Sequence, residues 1–390
     1  MDAKPNGSRL LLSDLSIKNF RGVKKLSIPR LGRVTLLAGR NGVGKSTVLE
    51  AIQVYAERGR YTELTDLLGT RGEFLTSIES DGDETAEPDW TALFYGRDIS
   101  KDISVSIGPR LETEQLKISL NTLDDQEISE ALSRNPGLFP DDRIRQLKVY
   151  YKGKGYSIRW IFDGPFARII GFGKEDAFLQ ARISADWRRV FDRDLYPPLE
   201  YETLGPGILT YTDIARMWDR VALTDDEGVV TDAIGLLYGA DVDRVAVIGD
   251  EAPNQMRLGR RPIIKIKSYS RPLPLRALGD GALRLFGVAL AFANSRDGFL
   301  FIDEAENGIH HSVQRDFWRM ILQTAHENNV QVFATTHSWD CVRGFAQAAT
   351  ESEDVEGVLV RLEKEDEGLR AVRYDERRLK IAAEQGVEVR

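Results

Sequence analysis

Alternation of apolar and polar positions predicts two short strands at the start of the chain, Leu10–Ile17 and Val23–Ile28, with Asn19-Phe20-Arg21-Gly22 as the turn between them. The next apolar run, Val34–Ala38, is too short for a helix and leads through the glycine-rich stretch Gly39–Thr47 into Val48–Ile52, whose spacing is helical. That order is strand, glycine loop, helix. From Gly59 to about Glu251 the pattern is mixed: Leu93–Tyr95, Ile103–Ile107, Leu116–Leu120 and Lys148–Phe162 read as strands, and Asp213–Val221 and Thr224–Tyr238 as helices. Thr224-Asp225-Asp226-Glu227 has the spacing of a capping box. From Ile263 an α/β order returns, with a helix over Gly281–Asn294, a strand over Gly298–Ile302, a helix over Ser312–Glu327 and a strand over Val330–Ala334. The tail predicts a hairpin turning at Glu365–Gly368 and a last helix near Glu376–Gln385. Without a solenoid-period repeat or a sustained heptad run, long coiled-coil arms are not expected.

Composition narrows the class. With 390 residues, 42% hydrophobic and 29% charged, the chain has an ordinary globular make-up and the length of two or three domains, which excludes a fibrous or low-complexity protein. The single cysteine, Cys341, rules out an internal disulfide or a zinc cluster and fits a reducing compartment. The first residues lack a basic leader, and the longest apolar run, Leu285–Ala293, is far short of the roughly 20 residues of a membrane span. No membrane segment is expected, and the expected location is the cytoplasm. The balance of 53 Lys+Arg against 61 Asp+Glu, net −8, argues against a surface coated with positive charge, so sign has to be read locally.

Gly39-x4-Gly44-Lys45-Ser46 is the spacing of a phosphate-binding loop. Glycines let backbone N–H groups converge on phosphate oxygens, and the following helix offers its N-terminus to the anion. Lys45 reaches the β and γ phosphates, and the Ser46 hydroxyl holds Mg²⁺. The candidate nucleotide-binding set is therefore Gly39, Asn41, Gly42, Val43, Gly44, Lys45, Ser46 and Thr47, and the implied cofactors are ATP and Mg²⁺. Phe299–Ile302 ends in Asp303 and Glu304, and alternation along a strand would turn these carboxylates apart. Asp303 is then the second metal residue, beside Ser46, and Glu304 the general base facing water. Thr335-Thr336-His337-Ser338 follows another apolar strand, which puts His337 where ligands of α/β sheets bind, able to hydrogen-bond a γ-phosphate. Between Glu251 and Asp280 there is no acid, but there are seven basic residues: Arg257, Arg260, Arg261, Lys265, Lys267, Arg271 and Arg276. Such a segment, 257–276, suits DNA phosphates, the bound triphosphate or an acidic partner. His310-His311 does not read as a metal site, because successive side chains point apart. Asp192/Asp194 and Asp241/Asp243 read as loop or helix-end acids.

Taken together, Leu15–Gly22, Asn41–Ile52, Leu278–Gly281, Ile302–His310 and Thr335–Ser338 occur in the order used by ABC-type P-loop ATPases, and the chain resembles the RecF/SMC/OLD branch, whose members act on DNA or in anti-phage defence. The resemblance covers the two ends well and the middle poorly. It implies an α/β fold: an ABC-type ATPase head with a mixed β lobe, a parallel-sheet α/β core and an inserted α+β/helical region. It divides the chain into 1–58 with the phosphate loop, an insertion 59–251, a second ATPase part 252–350 and a hairpin and helix over 351–390. It also implies that Arg21 belongs to the nucleotide site and that Gly279-Asp280-Gly281 is the signature turn that meets the γ-phosphate of a partner subunit, with Gly279 in place of the usual serine. Asn307–His310 then lies at the dimer interface, and Gln53, on the first helix, is not the family's glutamine switch.

OLD-type nucleases carry a Toprim domain after the ATPase, and the residues beyond His337 are too few for one. The expectation is therefore a free-standing ATPase that forms a homodimer or higher homo-oligomer and acts with a separate effector such as a nuclease. A RecF-like nucleotide-gated DNA clamp is the alternative, and a transporter cassette fits less well.

Overall fold

The computed structural model describes residues 10–78, 84–97, 102–123, 129, 143–163, 166–174, 177–179, 196–207, 209–239, 241–249, 260–352, 354–366 and 368–374. The expected C-terminal helix at 376–385, the acids Asp192 and Asp194, and Arg257 fall outside these residues. In chain order the elements are β1 (Leu15–Phe20), β2 (Val23–Ile28), β3 (Val34–Ala38), α1 (Lys45–Ala56), α2 (Tyr61–Thr70), β4 (Phe74–Ile78), β5 (Glu84–Pro88), β6 (Ile103–Gly108), β7 (Leu116–Thr122), β8 (Arg143–Tyr151), β9 (Lys154–Asp163), β10 (Phe166–Lys174), β11 (Ala177–Leu179) and β12 (Tyr201–Leu204). They continue as α3 (Tyr211–Val221), α4 (Asp226–Tyr238), β13 (Val242–Gly249), β14 (Arg260–Ile266), β15 (Leu273–Pro274), α5 (Asp280–Asn294), β16 (Phe299–Ile302), α6 (Gln314–Glu327), β17 (Gln331–Thr336), α7 (Trp339–Glu351), β18 (Gly357–Glu365) and β19 (Gly368–Tyr374).

Two sheets organise the molecule. A six-stranded sheet runs β12-β16-β17-β3-β18-β19, parallel throughout except for the last pair, and an eight-stranded antiparallel sheet runs β11-β10-β9-β8-β7-β6-β1-β2. The parallel strands are apolar on both faces because each face covers a different core. Leu300, Ile302, Val332, Ala334, Val34 and Leu36 join the core built with helices α3 to α7. Phe299, Phe301, Phe333 and Leu37 join the one shared with α1 and the antiparallel sheet. Side chains that alternate along a strand thus serve two cores. β12 lies in the segment expected as an insertion, yet it pairs with β16 from Tyr201↔Phe299 to Leu204↔Ile302 and puts that segment directly beside the strand that leads to Asp303.

Several expectations are corrected. The first strand begins at Leu15 and runs through Phe20, because Asn19 (φ 55) and Arg21 (φ 50) take up the bend with left-handed backbone while Phe20 still pairs with Val23. Leu93–Tyr95 is no strand: two 3₁₀ turns, Trp90–Leu93 and Tyr95–Arg97, flank Phe94, which makes one bridge to Phe20. Lys148–Phe162 spans two strands of a hairpin, reversed at Lys152 (φ 46) and Gly153. The capping box closes one residue early: Glu227 accepts the N–H of Leu223 at 3.0 Å, and the Thr224 hydroxyl accepts that of Asp226 at 3.3 Å. α2, the β4–β5 hairpin, β10, β11 and β13 had no clear signature in the pattern. Among the described residues no helix is long and apolar enough to cross a membrane.

Candidate functional site

β3 delivers the chain to the C-terminal edge of the parallel sheet, where ligands of open α/β sheets bind. There the backbone turns through Gly42 (φ 73) and Gly44 (φ 112), and α1 starts at Lys45 with Gly44 as its N-cap. Gly44 stands in the left-handed region, so a side chain there would be strained. α1 is longer than the spacing indicated, because the loop's last residues already turn helically. Its exposed first N–H groups make an anion site. Lys45 is 8% exposed and donates to the carbonyls of Gly39 at 2.8 Å and Arg40 at 3.1 Å, so its own loop already closes around the ammonium. Burial pushes the Lys45 pKa down, and Glu306, then Asp303 and Glu304, pull it back up.

The carboxylates come from the end of β16. Ser46 Oγ donates to Asp303 at 2.9 Å, which joins the helix after the glycine loop to the strand end 257 residues later. The Thr335 hydroxyl donates to the other Asp303 oxygen and accepts the N–H of Glu304 at 2.8 Å, fixing both acids from the neighbouring strand. Asp303 and Glu304 take different partners, and strand alternation does not extend to them: β16 stops at Ile302, and Glu304 adopts φ 49. Left-handed backbone at a bulky residue is strained and marks a place where the surroundings dictate geometry. Asn307 donates to Glu304 Oε2 at 2.7 Å. His337, just past β17, has Nδ1 3.1 Å from Glu306 Oε1 and 3.9 Å from Glu304 Oε1. The same Glu306 oxygen accepts the N–H groups of His337 and Ser338 at 2.9 and 3.1 Å, so its hydrogen bonds are to the backbone and not to the ring.

Lys45, Ser46, Asp303, Glu304 and His337 are therefore brought together. Arg21 pairs with two acids: its side chain is 12% exposed, with Nε 3.2 Å from Glu50 and Nη1 2.7 Å from Glu73. Gly279, Asp280 and Gly281 form the N-terminus of α5, with Gly279 at φ 99 as N-cap and Asp280 paired to Arg276 at 3.1 Å. Among the described residues no hydrogen bond joins them to the glycine loop. Gln53 donates to Thr203 at 2.8 Å, tying α1 to β12. In the basic segment Arg260 pairs with Asp219, Arg276 with Asp280, and Lys265 donates to the Tyr269 carbonyl. His310 and His311 stack at 4.1 Å, and among the described residues no group of three metal-ligating side chains occurs.

Sequence reasoning assigned no role to Thr335, Glu306, Arg71 or Arg284. Arg71 bonds Glu50, which raises its pKa, and it also feels Glu73 and Asp303. Arg284, 4% exposed on α5, has its pKa lowered by burial. Neither arginine belongs to a spacing motif; only the fold brings it to the carboxylates.

Residues 11–157 match a family described as AAA ATPase domain, and residues 226–340 match one described as AAA domain, putative AbiEii toxin, Type IV TA system. An ATP/GTP phosphatase of Helicobacter pylori is 23% identical over 356 residues, covering 88% of this chain and 90% of that protein. An OLD nuclease of Thermus scotoductus is 22% identical over 341 residues, covering 84% of this chain and 59% of the nuclease. Among solved structures, an SMC head bound to the C-winged helix domain of ScpA overlays with a TM-score of 0.48 at 12% identity, covering 93% of this chain and 97% of that one; so loose an overlay decides nothing. The two matched ATPase segments hold the glycine loop in one and the Asp303-Glu304 pair in the other, and the fold joins them through Ser46 and Asp303. Both matched segments are of AAA ATPase type, and the chain is an ATPase similar to that phosphatase and that nuclease.

Proposed function

We propose that this ATPase is the MgATP-driven component of a DNA-processing or anti-phage defence system, in which two copies enclose nucleotide between them and a separate effector protein, such as a nuclease, acts on the target. The carrying observation is the hydrogen bond of Ser46 to Asp303 beside the buried ammonium of Lys45, with the adjacent Glu304 held by Asn307. A hydroxyl and a carboxylate are hard oxygen donors of the kind Mg²⁺ takes alongside phosphate oxygens, so Ser46 and Asp303 would hold it. Bound there, Mg²⁺ supplies charge neutralisation on the phosphates. Lys45 exchanges the Gly39 and Arg40 carbonyls for phosphate oxygens. Glu304 takes the proton of the attacking water, and His337 faces the terminal phosphate. The loop binds a triphosphate from one side, and the signature-like turn Gly279–Gly281 of a second copy covers the other, through backbone N–H groups only.

The effector and the DNA context draw support from relatives, one named a nuclease and one family described as a toxin of a toxin–antitoxin system. DNA contact is assigned to the acid-free segment 257–276, where ion pairs such as Arg260–Asp219 would be exchanged for phosphates.

Sedimentation of Glu304→Gln, and of Glu304→Gln with Gly281→Trp, each with and without MgATP, tests the composite site. MgATP should shift only the first toward dimer, because a ligand that prefers the associated state stabilises it by mass action. Identical profiles in all four conditions would remove the composite site. Assembly insensitive to nucleotide would keep the ATPase and reject ATP-driven association.

A further inference from the structure

The loop that continues β12 is gripped from both sides. Arg284, on the second turn of α5, donates to the carbonyls of Gly205 at 2.7 Å and Gly207 at 3.2 Å, and to that of Asp303 at 3.2 Å. Asn307 donates one bond to the Pro206 carbonyl at 3.0 Å and another to Glu304 Oε2 at 2.7 Å. All three carbonyls of Gly205-Pro206-Gly207 are thus taken by side chains that also touch the turn bearing Asp303 and Glu304. A buried guanidinium that bonds only carbonyls is costly, since no carboxylate is hydrogen-bonded to it to repay desolvation. The fields of Asp303, Glu306 and Glu304 offset part of that cost. Its fork geometry explains why an arginine stands there: one planar group spans three acceptors that a point charge would reach one at a time.

We propose that Asn307 is a positioning residue that aims the Glu304 carboxylate, and that Arg284 sets Asn307 by holding the Gly205–Gly207 loop on which it rests. With Oε2 bound to Asn307, Oε1 is the oxygen left to accept a proton from water. Arg284 rides on the helix whose first turn is the signature-like Gly279–Gly281, so a displacement of that turn reaches the base through three hydrogen-bonded contacts, Arg284 to the loop, the loop to Asn307 and Asn307 to Glu304. Binding of a second copy is thereby linked to the aim of Glu304. This inference rests on the assignment of Glu304 as base.

ATP affinity by calorimetry and turnover are measured for Asn307→Ala, Arg284→Met and Arg284→Lys, and for Asn307→Ala combined with Glu304→Gln. Asn307→Ala should lower kcat about 10- to 100-fold, the range of one hydrogen bond to a charged group, with ATP affinity changed less than about twofold. In the Glu304→Gln background it should change the residual rate less than about twofold, because the carboxylate it aims is gone. Arg284→Met should resemble Asn307→Ala. Arg284→Lys should recover part of the rate, which separates loss of positioning from loss of folding. If Glu304→Gln itself turned over normally, the base assignment would fail and this inference with it. If Glu304→Gln were inactive while Asn307→Ala kept full kcat, or if the two losses multiplied, positioning by Asn307 alone would be overturned. A fall in ATP affinity that matched the fall in kcat would likewise overturn it, and an Arg284→Lys variant no better than Arg284→Met would overturn the role given to Arg284.

Discussion

Replacing Lys45 by methionine separates the stability of the empty loop from the stability nucleotide adds. In the free protein the ammonium bonds two carbonyls, those of Gly39 and Arg40, inside a site where burial already lowers its pKa. Methionine keeps the volume and removes a desolvated charge, so the nucleotide-free variant should be as stable as the parent or slightly more so. With ATP bound, those two bonds become bonds to charged oxygens at about 1.5–3 kcal/mol each, against which the lost carbonyl bonds are set. A net loss of about 3 kcal/mol weakens ATP binding about 10²-fold. At an ATP concentration of about 100 Kd for the parent, binding stabilises the parent by about 2.7 kcal/mol and the variant, then near its own Kd, by about 0.4 kcal/mol. At about 2 °C per kcal/mol for a chain of this size, MgATP should raise the apparent Tm by about 5 °C in the parent and by less than about 1 °C in Lys45→Met. Thermal melts of both proteins with and without MgATP read this directly. An equal nucleotide-induced shift in the two would refute the placement of Lys45 among the phosphates, and a large loss of stability in the nucleotide-free variant would refute the account of its burial.

Glu304→Gln should keep ATP affinity while hydrolysis falls by about 10² to 10⁴, as loss of a positioned base predicts; single-turnover and binding measurements check it, and a larger loss at Asp303 with unchanged turnover at Glu304 would move the role. Glu63 on α2 gives a pH dependence. Burial first, and then the Glu57 carboxylate, push its carboxyl up to about 7 from an ordinary 4.5, with a hydrogen bond from Tyr201 acting the other way. The folded state therefore holds this proton more tightly than the unfolded one, so the contribution is full below about pH 4.5 and is lost as pH rises through 7. Glu63→Gln should be more stable than the parent at pH 8 by about 1–2 kcal/mol and no more stable at pH 4.5, measured by denaturant unfolding; equal differences at both pH values would reject this assignment.

The glycine loop was legible because phosphate chemistry demands particular residue types at fixed spacing: Gly42 and Gly44 occupy positive φ, and Lys45 follows at once. The helix Gly281–Asn294 and the strand ending at Ile302 were legible from apolar runs bounded by acids and glycine. What failed depended on partners far along the chain. Strand alternation does not reach Asp303 and Glu304, since β16 stops at Ile302 and the Thr335 hydroxyl and the left-handed Glu304 backbone set their surroundings. Arg21 stands in a recognisable opening, while the acids it pairs with, Glu50 and Glu73, lie 29 and 52 residues later and carry no spacing signal. β12 is four residues long, Tyr201–Leu204, too short to announce itself, and it becomes a strand because the edge of β16 is there to pair with.

The place of β3 between β17 and β18 has a consequence for how the protein is made. Its neighbour β17 ends at Thr336, 298 residues after Ala38, an interval of about 15–60 s on the ribosome at roughly 5–20 residues per second. Through that time a strand whose five residues are all buried in the finished molecule has neither lateral partner, and both its edges offer unpaired backbone groups to any other strand nearby. A nascent chain halted at Val330 would carry the whole glycine loop with β12 and β16 made but neither neighbour of β3. It would display the nucleotide motif beside an unpaired strand edge, with Thr335 and His337 still unmade, so the site is assembled only when synthesis has passed β17.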